Sequence, residues 1–354
     1  MGNHPTIEDV ARAARVSRQT VSNVLNTPER VRPVTRERVE SAITKLGYRP
    51  HASARRLRTQ KSSTIGIRLD PMSNGISGSV LDSFLHALTE QADQRGMRVL
   101  LYTAADPHAE MAQIRKLHDG ADVDAFVLTS TFHGDPRTEY LIAGGVPFVT
   151  FGRPWGVDDM NDPQHLWVDV DGASGVREAT EHLLARGAAR VGFLGWPSPS
   201  GTGDDRRRGW QSAMAQAPGM DAATLAALTI TASDSVTEAQ SAVLRAHAAG
   251  ARWDALVCAS DSLALGARMA AASVGLAELP IVGFDNTPVA EAVGLSSVDQ
   301  RLTEVAAGVL ELLMGVSGKA IVPRELTPGE SHRLITPRLV VRRGDTGVDL
   351  AGAP

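Results

Sequence analysis

From Thr64 to Met314 the chain alternates short apolar runs with amphipathic stretches, and this rhythm restricts the fold more than any other feature. The runs Thr64–Leu69, Arg98–Thr103, Ala125–Thr129, Phe148–Phe151, Arg190–Leu194, Ala255–Ala259 and Ile281–Phe284 read as strands. Helical spacing marks Gly78–Arg95, His108–His118, Gly172–Arg186, Asp205–Gln216, Val236–Ala248, Ser262–Val274 and Thr303–Met314. A strand that returns to its sheet through a helix pairs in parallel, so this region predicts parallel sheets wrapped by helices. So many units predict two sheets. A ligand would then bind at carboxyl strand ends and in the cleft between two lobes.

Residues 1–61 follow a different pattern. They carry 13 Lys and Arg against 5 Asp and Glu, a net of +8; the whole chain is −4, so the remainder carries −12. A basic head on an acidic body predicts that only the head meets a polyanion. Within the head, Thr6 with Asp9 predicts a capped helix burying Ile7, Val10, Ala11 and Ala14. Ala14-Arg15-Val16 reads as a tight turn, and Ser17 as the cap of a second helix running through Asn26 with Val21, Val24 and Leu25 inward. Thr35 is placed to cap a third helix with Val39, Ile43 and Leu46 apolar, ended by Gly47. Helix, short turn, helix is the layout that lays its second helix in the major groove.

The residues of that second helix suit the task. Arg18 can grip guanine with two bonds, Gln19 and Asn23 can do the same to adenine, and Thr20 and Ser22 are short donors for phosphates or base edges. Pro50 then breaks the chain. The basic segment His51–Arg58 is too short to be a stable helix alone in water, which fits either a linker or a segment that folds against DNA with Leu57 as a minor-groove wedge.

The run Thr6-Ile-Glu-Asp-Val-Ala-Arg-Ala-Ala-Arg-Val-Ser-Arg-Gln-Thr-Val-Ser-Asn-Val-Leu-Asn26 resembles the head of the lactose/galactose-repressor family. Gly47-Tyr-Arg-Pro50, Ala54-Arg-Arg-Leu57 and Ile65-Gly-Ile67 stand where that family has them, and the likeness continues to about residue 343. The resemblance implies a helix-turn-helix head at 1–49, a hinge at 50–61, and a periplasmic-binding-protein-like body at 62–343. Its lobes would be about 62–160 with 293–325, and 161–292 with 326–343, leaving 344–354 as a disordered tail. It implies a homodimer reading a pseudo-palindromic operator in double-stranded DNA, with Leu57 of each copy prying open the central base step. Thr6, Ser17, Arg18, Gln19, Thr20, Ser22, Asn23, Asn26, Tyr48, Ala54, Arg55 and Leu57 are the implied DNA-facing residues.

In the body, Arg206, Gly209 and Trp210 match the family's Arg-x-x-Gly-aromatic pattern, whose Arg contacts effector. Gly283-Phe-Asp285 ends a strand with a carboxylate, which by resemblance binds effector hydroxyls. An Arg fork facing an Asp acceptor suits a polyol. Thr202, Ser260, Gln300 and Arg153 fall at further family contact positions. Asp261 beside Ser260 has capping of the following helix as its competing role, and Arg153 has a surface ion pair as its competing fate. Trp155, Trp167 and Trp196 could stack on a sugar, with burial in the core the alternative for each, whereas Trp210 reads as core. Asp234 falls near a position where relatives place a stacking aromatic, a departure that argues against a purine effector.

These features predict a repressor of carbohydrate-utilisation genes, controlled by a mono- or disaccharide, with a sugar phosphate or nucleoside as the alternative effector. No metal pair, nucleophile elbow or phosphate-binding loop is present, so no enzyme, metal or cofactor is expected; Gly201–Arg206 reads as a flexible cleft loop. A transport-linked sugar-binding protein would fit the body but not the basic head or the polar N-terminus. Cys258 sits alone in an apolar run and reads as buried and inert, consistent with a cytoplasmic protein without a membrane span.

Overall fold

The computed structural model describes residues 5–48, 62–70, 76, 78–157, 160–314 and 329–342; the hinge and the tail lie outside them. The chain divides into two compact units, residues 1–62 and 63–354.

The first unit is helical. Thr6 caps α1 (Ile7–Ala14) in a reciprocal box: the Asp9 amide donates to Thr6 Oγ1 at 3.3 Å and the Thr6 amide donates to Asp9 Oδ2 at 2.9 Å. Arg15 turns the chain in the left-handed region (φ 52°). Ser17 then caps α2 (Arg18–Asn26), accepting from the Thr20 amide at 3.1 Å. A short 3-10 turn, Pro28–Arg30, leads to α3 (Pro33–Leu46), which ends at Gly47 with φ 61°. Thr35 is not the cap of α3. Pro33 occupies its first turn and begins the helix earlier, as a proline without an amide to satisfy can. The phase shifts accordingly: Val39 and Ala42 are buried, whereas Leu46 is exposed. Val10, Ala14, Val21, Val24 and Val39 close a small core that Tyr48 completes.

The second unit contains β1 (Thr64–Arg68), α4 (Gly78–Gln94), β2 (Arg98–Tyr102), α5 (Pro107–Asp119), β3 (Ala125–Leu128), α6 (Pro136–Ala143), β4 (Phe148–Phe151) and β5 (Trp167–Val170). There follow α7 (Gly172–Ala185), β6 (Val191–Gly195), α8 (Gly201–Met214), α9 (Ala222–Ala227), β7 (Thr229–Thr231), α10 (Val236–Ala248), β8 (Ala255–Cys258) and α11 (Asp261–Ser273). Then come β9 (Ile281–Phe284), α12 (Pro288–Ala292), β10 (Ser296–Asp299), α13 (Leu302–Met314), β11 (His332–Ile335) and β12 (Arg338–Val340).

Two sheets result, in the orders β11-β5-β4-β3-β1-β2 and β12-β10-β9-β8-β6-β7. Among the described residues every pairing is parallel except β10 with β12, where Ser297 faces Val340. Helices on both faces bury the central strands, so Ile65, Ile67, Val127, Leu256 and Val257 are fully inaccessible. Each such side chain contributes about 1.5–3 kcal/mol of hydrophobic stabilisation. Cys258 is buried in β8, where the apolar surroundings push its thiol pKa well up.

The crossings between lobes differ from the expected positions near 160, 292 and 325. β5 hydrogen-bonds to β4, so the first lobe extends through Val170. β10 pairs with β9, so the second lobe extends through Asp299 before α13 returns to pack on α4. The final crossing separates β11 from β12, between Ile335 and Arg338. The strands that cause these shifts carry polar residues or are very short, which hides them among loops.

Candidate functional site

Two surfaces concentrate the expected residues. On α2, Arg18 and Gln19 are exposed and Asn23 stands one turn along, half-buried. Gln19 donates to Asn23 Oδ1 at 3.0 Å, so two amide side chains share one outward row. Arg18 meets Glu8 at 3.3 Å with both side chains well exposed, an attachment that a phosphate or base can displace at little cost. Thr6, Ser17, Thr20 and Ser22 flank this row. Thr6 and Ser17 are already engaged as caps, and Asn26 donates to the Ser22 carbonyl at 2.6 Å. Tyr48 departs from expectation: its ring packs in the head core. Ala54, Arg55 and Leu57 lie outside the described residues.

In the body, a cleft of about 960 Å3 opens at the carboxyl ends of both sets of strands. The first lobe lines it with Asp70 after β1, Thr129, Ser130 and Thr131 after β3, and Gly152 after β4. The second lobe supplies Trp196 after β6, Asp234 after β7, Asp285 after β9 and Gln300 after β10, with Thr202 and Arg206 from α8. The stretch expected as a flexible loop at 201–206 is instead the opening of α8. A helix there puts Thr202 and Arg206 on one face, four residues apart.

Arg206 is 5% exposed. Its guanidinium lies 3.6 Å over the Phe284 ring, donates to the Ala259 carbonyl at 2.5 Å, and stands 3.7 Å from Asp285 Oδ1. Its Nε has no hydrogen-bond partner among the described residues. Gln300 donates to Asp285 Oδ1 at 2.6 Å. Burial raises the Asp285 pKa to about 8 and lowers that of Arg206: at 3.7 Å their attraction does not offset lost hydration, and Asp261 and Asp234 press Asp285 further upward. Asp285 also holds φ at 111°, a strained region for a side-chain-bearing residue. Its amide donates to the Val298 carbonyl and the Asn286 amide to Ser297 Oγ, which together fix the turn.

Ser260 does not line the cleft. It caps α11 through the Leu263 amide at 3.2 Å and donates to Asp234 Oδ1 at 2.5 Å, so it positions a lining carboxylate. Asp261 is not the cap. Its carboxylate accepts from the Thr287 amide, Thr287 Oγ1 and Ser297 Oγ at 2.6–2.8 Å, stitching α11 to β10 and the turn after β9. Arg153 also stands behind the wall. Its Nε donates to Asp169 at 2.7 Å and an NH2 group to Asp205 at 2.5 Å, joining the first lobe to α8, and it stacks 4.6 Å from the Trp155 ring. With its side chain 14% exposed and its partners at 9% and 3%, this is a buried ion cluster, not a surface pair.

Of the tryptophans, Trp196 lines the cleft. Trp155 lies against Gly201, where an added Cβ would come within 2.3 Å of the ring, and Trp167 stacks on His332 at 4.6 Å. Trp210 is fully buried and donates to the Val191 carbonyl. Asp70, Thr129, Ser130 and Asp169 also line the cleft, without a motif in the sequence that marks them. A buried cluster holds the first two strand ends: Arg68 spans Asp70 at 2.7 Å and Glu110 at 3.1 Å, and Arg137 binds Glu110 and the Thr129 carbonyl. A carboxylate directly after an apolar strand, as in Ile67-Arg-Leu-Asp70, was the available signal.

Known proteins resemble both units of the chain. The family model described as bacterial regulatory proteins, lacI family, matches residues 6–51, and the periplasmic binding protein-like domain matches 180–344. The HTH-type transcriptional regulator CelR of Thermobifida fusca is 31% identical over 94% of this chain and 97% of its own length. The HTH-type transcriptional regulator GalS of Salmonella typhimurium is 33% identical over 88% and 90%. Among solved structures, a regulatory protein of the LacI family from Chloroflexus aggregans superposes with TM-score 0.69 at 30% identity, covering 80% of this chain and 98% of that one. The lac repressor dimer bound to operator and the anti-inducer ONPF shares the fold at TM-score 0.74 and 22% identity, over 97% and 99%. No described helix is long and apolar enough to cross a membrane. The two family models and the full-length likeness agree: the chain belongs to the lacI family of bacterial regulatory proteins.

Proposed function

We propose that the chain is a sequence-specific transcriptional repressor of carbohydrate-utilisation genes, acting in the cytoplasm as a homodimer whose hold on its operator is set by a saccharide in the cleft. The observation that carries this reading is the joining, in one chain, of an α2 presenting Arg18, Gln19 and Asn23 with a cleft holding Arg206, Asp285, Gln300 and Thr202. The solved CelR–cellobiose complex, at TM-score 0.65 and 26% identity over 96% of this chain and 99% of that one, supports the saccharide assignment.

The two surfaces need be coupled only by unequal ligand affinity for two lobe arrangements. A difference of about 1–3 kcal/mol suffices for a 5- to 150-fold change in operator affinity. The hinge at 50–61, with Leu57, is the natural transmitter. The test is selection of a duplex from a random library, then anisotropy binding against salt. Gln19→Ala is expected to weaken the selected site by about 1–3 kcal/mol and to relax one base position. Duplex binding that is insensitive to salt and to this substitution would remove the DNA-reading role.

A further inference from the structure

The turn that carries Asp285 is held at every amide. Asp285 and Asn286 both have positive φ, 111° and 50°, and residues with side chains persist there only where the surrounding structure over-determines them. Three successive amides donate to three different acceptors: Asp285 to the Val298 carbonyl, Asn286 to Ser297 Oγ and Thr287 to Asp261 Oδ2. Ser297 Oγ in turn donates to Asp261 Oδ1 at 2.6 Å, so one buried carboxylate stands behind two of the three.

Arg342 completes this hold from beyond β12. One of its NH2 groups donates to Asn286 Oδ1 at 2.6 Å and the other to the Leu295 carbonyl at 2.8 Å, while its backbone amide donates to Ser296 Oγ at 2.9 Å. The planar guanidinium thus grips the side chain of a positive-φ residue and the approach to β10 at once, which a single-point cation could not do. Burial raises the Asp261 pKa, and the charge of Arg342 is among the influences that pull it back. Neither Asp261 nor Arg342 is among the described residues that line the cleft, whereas Asp285 is. Rotation about φ at Asp285 swings its Cβ, so whatever fixes this turn fixes where the carboxylate stands.

We propose that Arg342 is a positioning residue of the effector site: acting with Asp261, it holds the Asp285–Asn286 turn in the conformation that presents the Asp285 carboxylate to the cleft, without touching the ligand itself. The inference rests on the saccharide reading above and assigns part of that site's affinity to the segment that follows β12.

Arg342→Met keeps the length of the side chain and removes its donors. Arg342 is only half-buried and β12 keeps its pairing with β10, so the variant is expected to fold. Full-length wild type and variant are first compared without ligand by hydrogen exchange and mass spectrometry. The amides of Asp285, Asn286 and Thr287 are expected to exchange about tenfold faster or more in the variant, with those of Ala255–Cys258 unchanged. Unchanged exchange at the turn overturns the inference. Both proteins are then titrated calorimetrically with D-glucose, D-galactose, cellobiose, maltose and melibiose. Each sugar that binds wild type is expected to bind Arg342→Met more weakly by about fivefold or more. The same substitution made in Asp285→Ala should cost less than about twofold, because the carboxylate that Arg342 positions is gone. Undiminished affinity in Arg342→Met, or equal losses in the two backgrounds, overturns the inference and leaves the saccharide reading standing. Binding by none of the five sugars removes the saccharide reading, and the inference with it.

Discussion

Replacing Arg153 by Met keeps the length of the side chain and removes the charge that ties the lobes together. The structure sets the expected cost. Asp205 keeps Arg208 at 2.6 Å and the Ala173 amide at 3.2 Å, so it remains partnered. Asp169, whose side chain is 9% exposed, keeps hydrogen bonds only from the Val170 amide and the amide of residue 153 among the described residues. Breaking a buried pair generally costs about 3–5 kcal/mol, and with Asp205 still served the lower end applies, about 3 kcal/mol at neutral pH. For a unit of this size that is a fall in Tm of about 6 °C. The cost should also depend on pH. Burial already raises the Asp169 pKa against the pull of Arg153, and losing that pull raises it further. A raised carboxyl pKa means that the folded protein binds the proton more tightly than the unfolded chain, so stability drops as pH climbs above the ordinary value of about 4. The deficit of Arg153→Met relative to wild type should therefore grow from pH 5 to pH 8, and Asp169→Asn in the same chain should recover most of it. Tryptophan fluorescence is the suitable assay, because residues 1–61 contain no Trp and the signal reports the body alone. A deficit below about 1 kcal/mol, or one that does not change with pH, would refute the reasoning.

Two further substitutions probe the packing and the cleft. Gly209→Ala gains about 1 kcal/mol in helix propensity, but the new Cβ would stand 2.0 Å from the Ala173 carbonyl oxygen, backbone that cannot swing away. Overpacking of about 1–3 kcal/mol or more should win, lowering the Tm of the body; a variant as stable as wild type would show that α7 and α8 separate freely. Asp285 faces Arg206, Gln300, Asp261 and Asp234, and its pKa near 8 makes the ligand-free fold lose stability as pH rises from about 4 towards 8. Asp285→Asn should flatten that decline, so that its Tm gains on wild type between pH 5 and pH 8.5; parallel profiles would assign the titration to another group.

Much of this architecture was legible because the central strands are buried on both faces and read as unbroken apolar runs. Ala255–Cys258 and Ile281–Phe284 are examples. The strands that escaped are of another kind. Trp167-Val-Asp-Val170, Ser296-Ser-Val-Asp299 and His332-Arg-Leu-Ile335 mix polar and apolar residues, and their hydrogen-bond partners lie far away in the chain. Since these strands carry the crossings, missing them misplaces the lobe boundaries while leaving the fold class intact. The site divides the same way. Arg206, Asp285, Thr202 and Gln300 stand at strand or helix ends, and topology delivers them to one cleft. Arg153 and Ser260 stand equally close in the chain to strand ends, yet each is drawn behind the wall by a carboxylate. Asp169 and Asp234 are those carboxylates, and nothing local in the sequence announces such a pairing.

The placement of β11 and β12 has a consequence for how this body is made. Residues 332–340 supply one strand to each sheet, separated by a single short connection. A nascent chain emerging from the ribosome therefore holds two nearly finished lobes, each with an open sheet edge, until the same few residues arrive to seal both. A premature stop just before Ser331 would not delete a small C-terminal appendage. It would leave β5 and β10 uncovered together, giving an otherwise complete chain two templates for association with its neighbours.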